Sequence, residues 1–255
     1  MKKDKIKVVI LCGGRGTRLR EETEVRPKPL VEIGNRPILW HIMKIYSYYG
    51  FKDFVLCLGY KGDMIKDYFL NYEAMNNDFT INLSNRNNIA FHNSHLEKDW
   101  NVTLVNTGDH TGTGARIKRI EEYIDGEVFM VTYGDGVGNV NINKLLEFHR
   151  KNKMIGTITG VHPSSRFGEL LTKGKNVAQF NEKPLVSQGY INGGFFVFHK
   201  KFFSYLCNDE DSFLEREPLE KLAADGELSV FKHDGFWQCM DTQRELNMLN
   251  DLWGK

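Results

Sequence analysis

The residues best suited to chemistry follow the first predicted strand of the chain. Three glycines lie in the segment Gly13-Gly14-Arg15-Gly16-Thr17-Arg18, and a lysine follows in Pro27-Lys28-Pro29. Glycines let the backbone approach a ligand and direct its amides at phosphate oxygens, whose charge Arg18 and Lys28 can neutralise. The pattern favours phosphate binding. The alternative at this point is a tight strand-to-helix turn with solvated cations.

Two other glycine motifs do not fit this segment. A dinucleotide-binding G-x-G-x-x-G motif needs a third glycine where this chain has Leu19, and the P-loop motif G-x-x-x-x-G-K-[ST] is absent from the sequence. A dehydrogenase is therefore not expected.

Two aspartates are candidate metal ligands. Asp135 follows an apolar run between two glycines, at the carboxyl end of a predicted strand, where open α/β sheets bind ligands. Asp241 directly precedes a predicted helix, whose Thr242 and Glu245 match a capping box. Carboxylates combined with substrate phosphates suit Mg²⁺. A turn role for Asp135 and a helix-capping role for Asp241 remain open on these grounds.

Composition and charge are those of an ordinary globular protein. The 255 residues are 41% hydrophobic and 26% charged, and 34 basic residues nearly balance 33 acidic ones. Because a basic surplus is missing, no nucleic-acid partner is expected. No apolar run resembles a signal peptide or reaches the about 18 residues of a membrane span. The four cysteines form no CxxC pair. We expect a cytoplasmic protein without a membrane partner.

Apolar patterns predict the elements that position these residues. Continuous apolar runs, typical of strands in a parallel sheet, lie at 7–12, 53–58 and 128–133. Helical spacing over 37–49 and 63–72 places helices between them. The order predicts an α/β fold with a Rossmann-like, mixed but mostly parallel central sheet flanked by helices.

The second half of the chain is richer in predicted strands. Four strands are expected between residues 155 and 199, followed by a helix at 217–224, a strand at 228–233 and a last helix after Thr242. We find no linker that would split the chain. We therefore predict a single domain over 1–255, made of a core over about 1–150 and an added β-rich part with the C-terminal helix over about 151–255.

The glycine segment with Pro27-Lys28-Pro29-Leu30 resembles the signature of the sugar-phosphate nucleotidyltransferases. Further segments, in order along nearly the whole chain, are similar to the cytidylyltransferase branch of that family: Trp40-His41-Ile42-Met43-Lys44, Gly59-Tyr60-Lys61-Gly62, Asn101-Val102-Thr103-Leu104-Val105, Thr132-Tyr133-Gly134-Asp135-Gly136, Ile191-Asn192-Gly193-Gly194-Phe195-Phe196, and Gly235-Phe236-Trp237 with Met240-Asp241-Thr242. The resemblance implies in-line transfer of a cytidylyl group from CTP to α-D-glucose 1-phosphate. The products would be CDP-glucose and pyrophosphate.

The resemblance also implies roles for individual residues. Catalysis would depend on Arg18, Lys28, Asp135 and Lys183. The nucleotide would be bound in the 1–150 core by Leu11, Gly13, Gly14, Arg15, Gly16, Thr17, Thr113, Arg116 and Gly134. The sugar phosphate would be bound in the 151–255 part by Glu182, Lys183, Asn192 and Gly193. A Mg²⁺ cofactor would be held by Asp135 and Asp241.

The resemblance further implies a homo-oligomer, and some segments leave alternatives open. Residues 84–99, dense in Asn and His, are predicted as a long loop or a hairpin and are the candidate contact. Glu169 and residues 84–96 differ from the family pattern. The same transfer to another phosphorylated substrate, or from another nucleoside triphosphate, therefore stays open. A nucleotide-binding regulatory module without turnover is the second alternative.

Overall fold

A computed structural model of the chain describes residues 6–162, 169–173, 176–181 and 189–254. The strands are β1 (Val8–Cys12), β2 (Glu32–Ile33), β3 (Arg36–Pro37), β4 (Asp53–Leu58), β5 (Phe79–Asn82), β6 (Asn85–Phe91), β7 (Asn101–Asn106), β8 (Val128–Tyr133), β9 (Gly136–Gly138), β10 (Gly156–Val161), β11 (Glu169–Lys173), β12 (Asn176–Asn181), β13 (Ile191–His199), β14 (Leu228–His233) and β15 (Trp237–Cys239). The helices are α1 (Arg20–Thr23), α2 (Ile38–Tyr48), α3 (Gly62–Leu70), α4 (Tyr72–Asn76), α5 (Thr113–Lys118), α6 (Ile142–Asn152), α7 (Glu217–Ala224) and α8 (Gln243–Trp253).

Seven strands form the central sheet, in the order β14-β10-β13-β8-β1-β4-β7. Strands β8, β1, β4 and β7 are parallel, as are β10 and β14, whereas β13 runs antiparallel to both of its neighbours. The prediction of a mixed, mostly parallel sheet is confirmed. In this sheet Leu11 of β1 lies opposite Tyr133 of β8. The glycine segment and Asp135, which follow these two strands, therefore begin side by side.

Two apolar cores cover the two faces of the sheet. Val8 and Ile10 belong to the core that includes residues of α2, α6 and α8. Val9 and Leu11 belong to the other core, which includes residues of α5 and α7. Burial on both faces explains why β1 has no polar position. In the part of the chain that the structure describes, no helix has the length and apolarity that a bilayer crossing requires.

Two helices start at side-chain caps, whereas one predicted helix is interrupted. Asn141 caps α6 by accepting from the Lys144 amide at 3.0 Å, and Thr242 and Glu245 form the capping box of α8. The helix predicted over 63–72 instead divides into α3 and α4 at Asn71. There the backbone has a φ of −98° and a ψ of 8°, which depart from helical values, and the Asn71 side chain donates to the Asp67 carbonyl at 2.9 Å.

The second half of the chain contributes strands to the same sheet as the first half. Strands β10, β13 and β14 extend the sheet beyond β8, while β11 and β12 form a separate antiparallel pair. Within the segment predicted as a loop or hairpin, β6 pairs with β5 in an antiparallel hairpin that begins at Phe79. The hairpin alternative is therefore the one that the structure adopts.

His149 on α6 is a buried histidine that couples stability to pH. It is 3% exposed, and its Nδ1 lies 2.9 Å from Thr157 Oγ1. Burial, helped by the positive charges of His199 and Arg150, lowers the pKa of His149 to about 4. An unfolded chain has a histidine pKa of about 6.5 and binds the proton first. The contribution of neutral His149 to the free energy of unfolding is fully present above about pH 6.5. It is lost as the pH falls toward 4.

We expect His149→Gln to flatten the acid dependence of stability. Between pH 7 and pH 4.5 the wild type should lose about 2 kcal/mol of unfolding free energy through this residue, and the variant should not. Urea unfolding at the two pH values measures the difference. The exposed His92 offers a matched control, because His92→Gln should keep the wild-type dependence. An equal loss in the His149 variant would contradict the assignment.

Candidate active site

A cavity of about 310 Å³ lies where the segments after β1 and β8 meet. The motifs that line it come from the glycine segment, the turn after Pro27, the start of α5 and the residues that precede α8. The predicted site residues in its lining are Leu11, Gly13, Gly14, Gly16, Thr17, Arg18, Lys28, Thr113, Arg116, Gly134, Asp135 and Asp241. The fold therefore gathers most of the predicted site in one place.

The ammonium group of Lys28 lies between two carboxylates in this cavity. Lys28 Nζ donates to Asp135 Oδ2 at 2.7 Å and to Asp241 Oδ1 at 2.6 Å. Arg18 Nη1 lies 2.8 Å from the other oxygen of Asp241. We call these four residues the charge cluster. The Lys28 and Asp241 side chains are only 11% and 13% exposed, so salt screens their attraction weakly.

The carboxylates keep Lys28 charged in spite of its burial. Burial by itself lowers the pKa of Lys28, but the charges and hydrogen bonds of Asp135 and Asp241 outweigh it and raise that pKa above its ordinary value. The lysine is therefore an ammonium ion at neutral pH. Each charge in the cluster is compensated by a direct neighbour.

A short antiparallel ladder brings the two aspartates together. Strand β9 follows Asp135 and pairs with β15, which ends just before Met240. The Met240 amide donates to the Asp135 carbonyl at 2.8 Å and extends the ladder by one bond. On the other side of Asp241, Glu245 Oε2 accepts from the Asp241 amide at 2.7 Å as part of the α8 cap. The backbone on both sides of each carboxylate is thus fixed.

The charge cluster has the donor set of a magnesium site. Its two carboxylates come from different elements and already contact one cation, the Lys28 ammonium. Mg²⁺ is bound by one or two carboxylates together with phosphate oxygens. Asp135 and Asp241 therefore fit such an ion, with the remaining positions left to substrate.

Cys239, Asp241 and Glu245 form a second group of potential ligand atoms within the described residues. Glu245 Oε2 is engaged in the α8 cap through the amides of Asp241 and Thr242. Burial and the Glu245 charge raise the pKa of Cys239 to about 12, so its thiol is neutral. The closeness of these three ligand atoms therefore follows from the α8 cap. The pair Asp135 and Asp241 is the candidate site for a metal ion.

Arg116 supports the glycine segment from below. Its guanidinium is buried and donates to the carbonyls of Leu58, Gly108 and Gly13 at 2.7–3.1 Å, and to Thr107 Oγ1 at 2.8 Å. A side chain at Gly13 would overlap this guanidinium. The structure thus gives Arg116 a positioning role under the loop, in addition to the nucleotide contact that the resemblance implies.

Gly16 makes the turn of the loop. Its φ of +62° lies in the left-handed region that favours glycine, and its carbonyl accepts from the Leu19 amide at 3.0 Å. This turn directs the chain toward Arg18 and the start of α1. The glycine pattern is therefore required both by the conformation at Gly16 and by the packing at Gly13.

Some predicted site residues lie elsewhere. Arg15 is exposed, and its guanidinium lies 3.4 Å from the His110 ring. Asn192 reaches the cavity indirectly, since its Nδ2 donates to the Tyr133 hydroxyl at 3.0 Å and Tyr133 lines the cavity. The Gly193 carbonyl accepts from Trp237 Nε1 at 2.8 Å. The predicted residues Glu182 and Lys183 lie outside the described residues.

The structure adds residues that the sequence analysis missed. Tyr133 and Phe213 line the cavity, and Glu215 contacts Tyr133 from behind it. Tyr133 directly precedes the predicted site residue Gly134 at the end of β8. This position in the sequence could have indicated that Tyr133 lines the cavity. Phe213 and Glu215 lie in an irregular segment without periodicity, which we call the 206–216 segment. Its Glu210 carbonyl accepts from the Gly112 amide at 2.7 Å and fixes the segment beside α5.

Comparison with known proteins identifies the family of this chain. The family model described as nucleotidyl transferase matches residues 7–241, which include the whole charge cluster. The chain belongs to this family. The nucleotidyl transferase is 49% identical to the glucose-1-phosphate cytidylyltransferase of Salmonella typhimurium, over 98% of this chain and 96% of that protein.

Two further proteins extend the comparison. The identity to the probable glucose-1-phosphate cytidylyltransferase of Bacillus subtilis is 45%, over 98% of this chain and 97% of that protein. A crystal structure of HddC from Yersinia pseudotuberculosis superposes with a TM-score of 0.72 at 24% identity, covering 97% of this chain and 99% of that one. This structural similarity supports the fold alone.

We expect Asp135→Asn to preserve the fold of the nucleotidyl transferase and to remove most of its turnover. The change is nearly isosteric, but it removes a charge that faces both Lys28 and the proposed metal position. Loss of one such electrostatic stabiliser lowers kcat by about 10²–10³. Pyrophosphate release in the presence of Mg²⁺ measures the effect. Asp251→Asn, at an exposed position of α8, is the matched control. Near wild-type turnover of the Asp135 variant would show that this carboxylate is dispensable.

Proposed function

We propose that this nucleotidyl transferase transfers the cytidylyl group of CTP to α-D-glucose 1-phosphate and releases pyrophosphate. The high identity to two glucose-1-phosphate cytidylyltransferases over nearly the full chain supports the choice of substrates. The observation that carries the chemistry is the charge cluster in the cavity, where two cationic and two anionic side chains converge. A regulatory module would not need that arrangement.

The residues of the cavity would act by positioning two anionic substrates and offsetting their charge. The attacking oxygen belongs to the sugar phosphate, which is ionised at neutral pH, so the reaction needs no general base. Arg18 and Lys28 would neutralise the triphosphate, and the amides of the glycine segment would cradle it. To reach the phosphates, Lys28 must exchange its hydrogen bonds to Asp135 and Asp241 for bonds to substrate.

A Mg²⁺ ion would be held by the two carboxylates that Lys28 releases. When bound, the ion supplies positive charge to the phosphate oxygens around the reacting phosphorus. The carboxylates of Asp135 and Asp241 suit this role because both are already directed at one cation. Each anionic group would therefore have a cationic neighbour both before and after substrate binds.

The sugar phosphate would occupy the side of the cavity nearest Tyr133. Asn192 contacts Tyr133, and the Gly193 carbonyl is fixed by Trp237, so both predicted sugar-binding residues are held in place on that side. Lys183 would hold the phosphate of the sugar, and Glu182 would contact its hydroxyl groups. These two roles rest on the family resemblance.

We also propose that the enzyme is a cytoplasmic homo-oligomer. The described cysteines, Cys12, Cys57, Cys207 and Cys239, are free thiols, which is typical of a reducing compartment. Within residues 84–99, Ile89 and Leu96 are exposed apolar side chains, and Leu83 directly before this segment is exposed as well. Exposed apolar surface is typical of protein interfaces. It supports residues 84–99 as the contact between copies.

Nucleotide preference tests the proposed reaction. We expect kcat/KM to be at least about a hundredfold higher with CTP than with UTP, because the uracil carbonyl would face the acceptor that binds the cytosine amino group. The methyl group should disfavour dTTP further. The acceptor would be a backbone carbonyl near the glycine segment other than that of Gly13, which already accepts from Arg116 and the Tyr60 amide. Pyrophosphate release at fixed glucose 1-phosphate gives the three efficiencies.

The same assay separates the two alternatives. A panel of sugar 1-phosphates with CTP should give the highest kcat/KM for glucose 1-phosphate. Comparable efficiency with UTP or dTTP, or preference for another sugar phosphate, would assign the chain to a different branch of the family. Tight CTP binding without any pyrophosphate release would instead support a regulatory module.

A further inference from the structure

Glu215 is a carboxylate beside the cavity to which neither the sequence nor the proposed reaction assigns a role. It lies in the 206–216 segment, which ends at the start of α7. Three backbone amides at the start of α5 donate to carbonyls of this segment, those of Gly112, Gly114 and Ala115, at 2.7, 3.0 and 3.2 Å. The segment is therefore docked on α5, and Glu215 has a defined position.

Glu215 accepts hydrogen bonds from side chains on two walls of the cavity. Its Oε1 accepts from the Tyr133 hydroxyl at 2.6 Å, and its Oε2 accepts from Thr113 Oγ1 at 2.7 Å. Tyr133 ends β8 and Thr113 begins α5, and both residues line the cavity. One carboxylate thus connects the wall assigned to the nucleotide with the wall assigned to the sugar.

The charge of Glu215 determines the direction of the hydrogen bonds on the Tyr133 side. An ionised carboxylate can only accept, so the single hydroxyl hydrogen of Tyr133 must be donated to it. The Tyr133 oxygen is then left to accept from Asn192 Nδ2 at 3.0 Å. The other end of that amide, Asn192 Oδ1, accepts from the Gly194 amide at 2.9 Å. The Asn192 amide is therefore oriented from both ends, by the Gly194 amide and, through Tyr133, by Glu215.

The same argument applies to Thr113. Because its hydroxyl hydrogen is donated to Glu215, its oxygen accepts, and the donor is the Leu214 amide at 2.8 Å. The hydroxyl rotor of Thr113 is thereby fixed at the start of α5. Two branches of hydrogen bonds leave one carboxylate, one toward each substrate.

We propose that Glu215 is a positioning residue for both substrates, which orients Asn192 through Tyr133 on the sugar side and Thr113 on the nucleotide side without touching either substrate. The inference rests on the proposed function, because that function places Asn192 and Thr113 at the two substrates. A merely structural role would instead fix the 206–216 segment and would affect stability alone.

A branch-selective kinetic experiment tests the inference. Glu215→Ala should raise KM for CTP and KM for glucose 1-phosphate, each by about three- to tenfold, because both branches lose their acceptor. Tyr133→Phe should raise KM for glucose 1-phosphate only. In the double variant, KM for glucose 1-phosphate should equal that of Tyr133→Phe, whereas KM for CTP should still be raised. Glu220→Gln, at an exposed position of α7, should behave as the wild type.

Several outcomes would overturn the inference. Wild-type KM values for both substrates in Glu215→Ala would do so. Independent, multiplicative effects of Glu215→Ala and Tyr133→Phe on KM for glucose 1-phosphate would also do so, since residues that act through one chain are not additive. Thermal melting shows whether each variant is folded. If Glu215→Ala is unfolded, Glu215→Gln replaces it. Its amide can accept from only one of the two hydroxyls, so unchanged KM values for both substrates would again overturn the inference.

Failure of the proposed function is distinguishable from failure of this inference. Turnover of the wild type with CTP and glucose 1-phosphate is measured first and depends on no assumption about Glu215. If the wild type releases no pyrophosphate, calorimetric titration with CTP tests the Thr113 branch by itself. Weaker CTP binding by folded Glu215→Ala would then support the inference, and equal binding would overturn it.

Discussion

The ammonium group of Lys28 holds together two carboxylates that the chain delivers from distant parts of its sequence. Lys28 and Asp241 are 213 positions apart, and Lys28 and Asp135 are 107 apart, yet all three side chains meet within hydrogen-bond distance. Two partly buried carboxylates repel each other unless a cation lies near them, and the Lys28 ammonium offsets that repulsion. The register of β1 with β8, the β9–β15 ladder and the cap of α8 all serve to place these charges.

The same arrangement links the resting protein to the proposed reaction. Lys28 neutralises the aspartates in the structure, whereas the reaction assigns it to the triphosphate and assigns the aspartates to a metal ion. Substrate would therefore bring its own negative charge to a lysine that already has two anionic partners. Arg18, which is more exposed than Lys28 and pairs with Asp241, can change partners with less rearrangement. The proposed reaction would thus exchange these ion pairs.

Much of this architecture was predictable because strong local patterns agree with the fold. Strands 53–58 and 128–133 and the helix at 217–224 have the bounds that their apolar patterns predict. The position of Asp135 followed from the general behaviour of parallel sheets at their carboxyl ends. The break at Asn71 was missed, because the apolar spacing continues across it and only the local backbone conformation changes. The bridging position of Lys28 was missed too, since motifs assign partners from the substrate and not from the neighbouring protein.

The contacts of the 206–216 segment could not be predicted from the sequence. Its contacts with α5 and Tyr133 arise from tertiary docking of irregular backbone, and no periodicity or capping signal announces Glu215. The roles of Glu182 and Lys183 also have no local sequence signal and rest on the family resemblance. The structure therefore adds most at Glu215, which joins the two substrate walls of the cavity.

If Lys28 and a divalent cation compete for the carboxylates of Asp135 and Asp241, metal binding by the free protein measures that competition. Mn²⁺, whose free form is visible by electron paramagnetic resonance, can be titrated into the wild type and into Lys28→Met in the absence of nucleotide. We expect tighter Mn²⁺ binding by the variant, because Asp135 and Asp241 then lack their resident cation. Equal or weaker binding by a folded Lys28→Met protein would contradict this expectation.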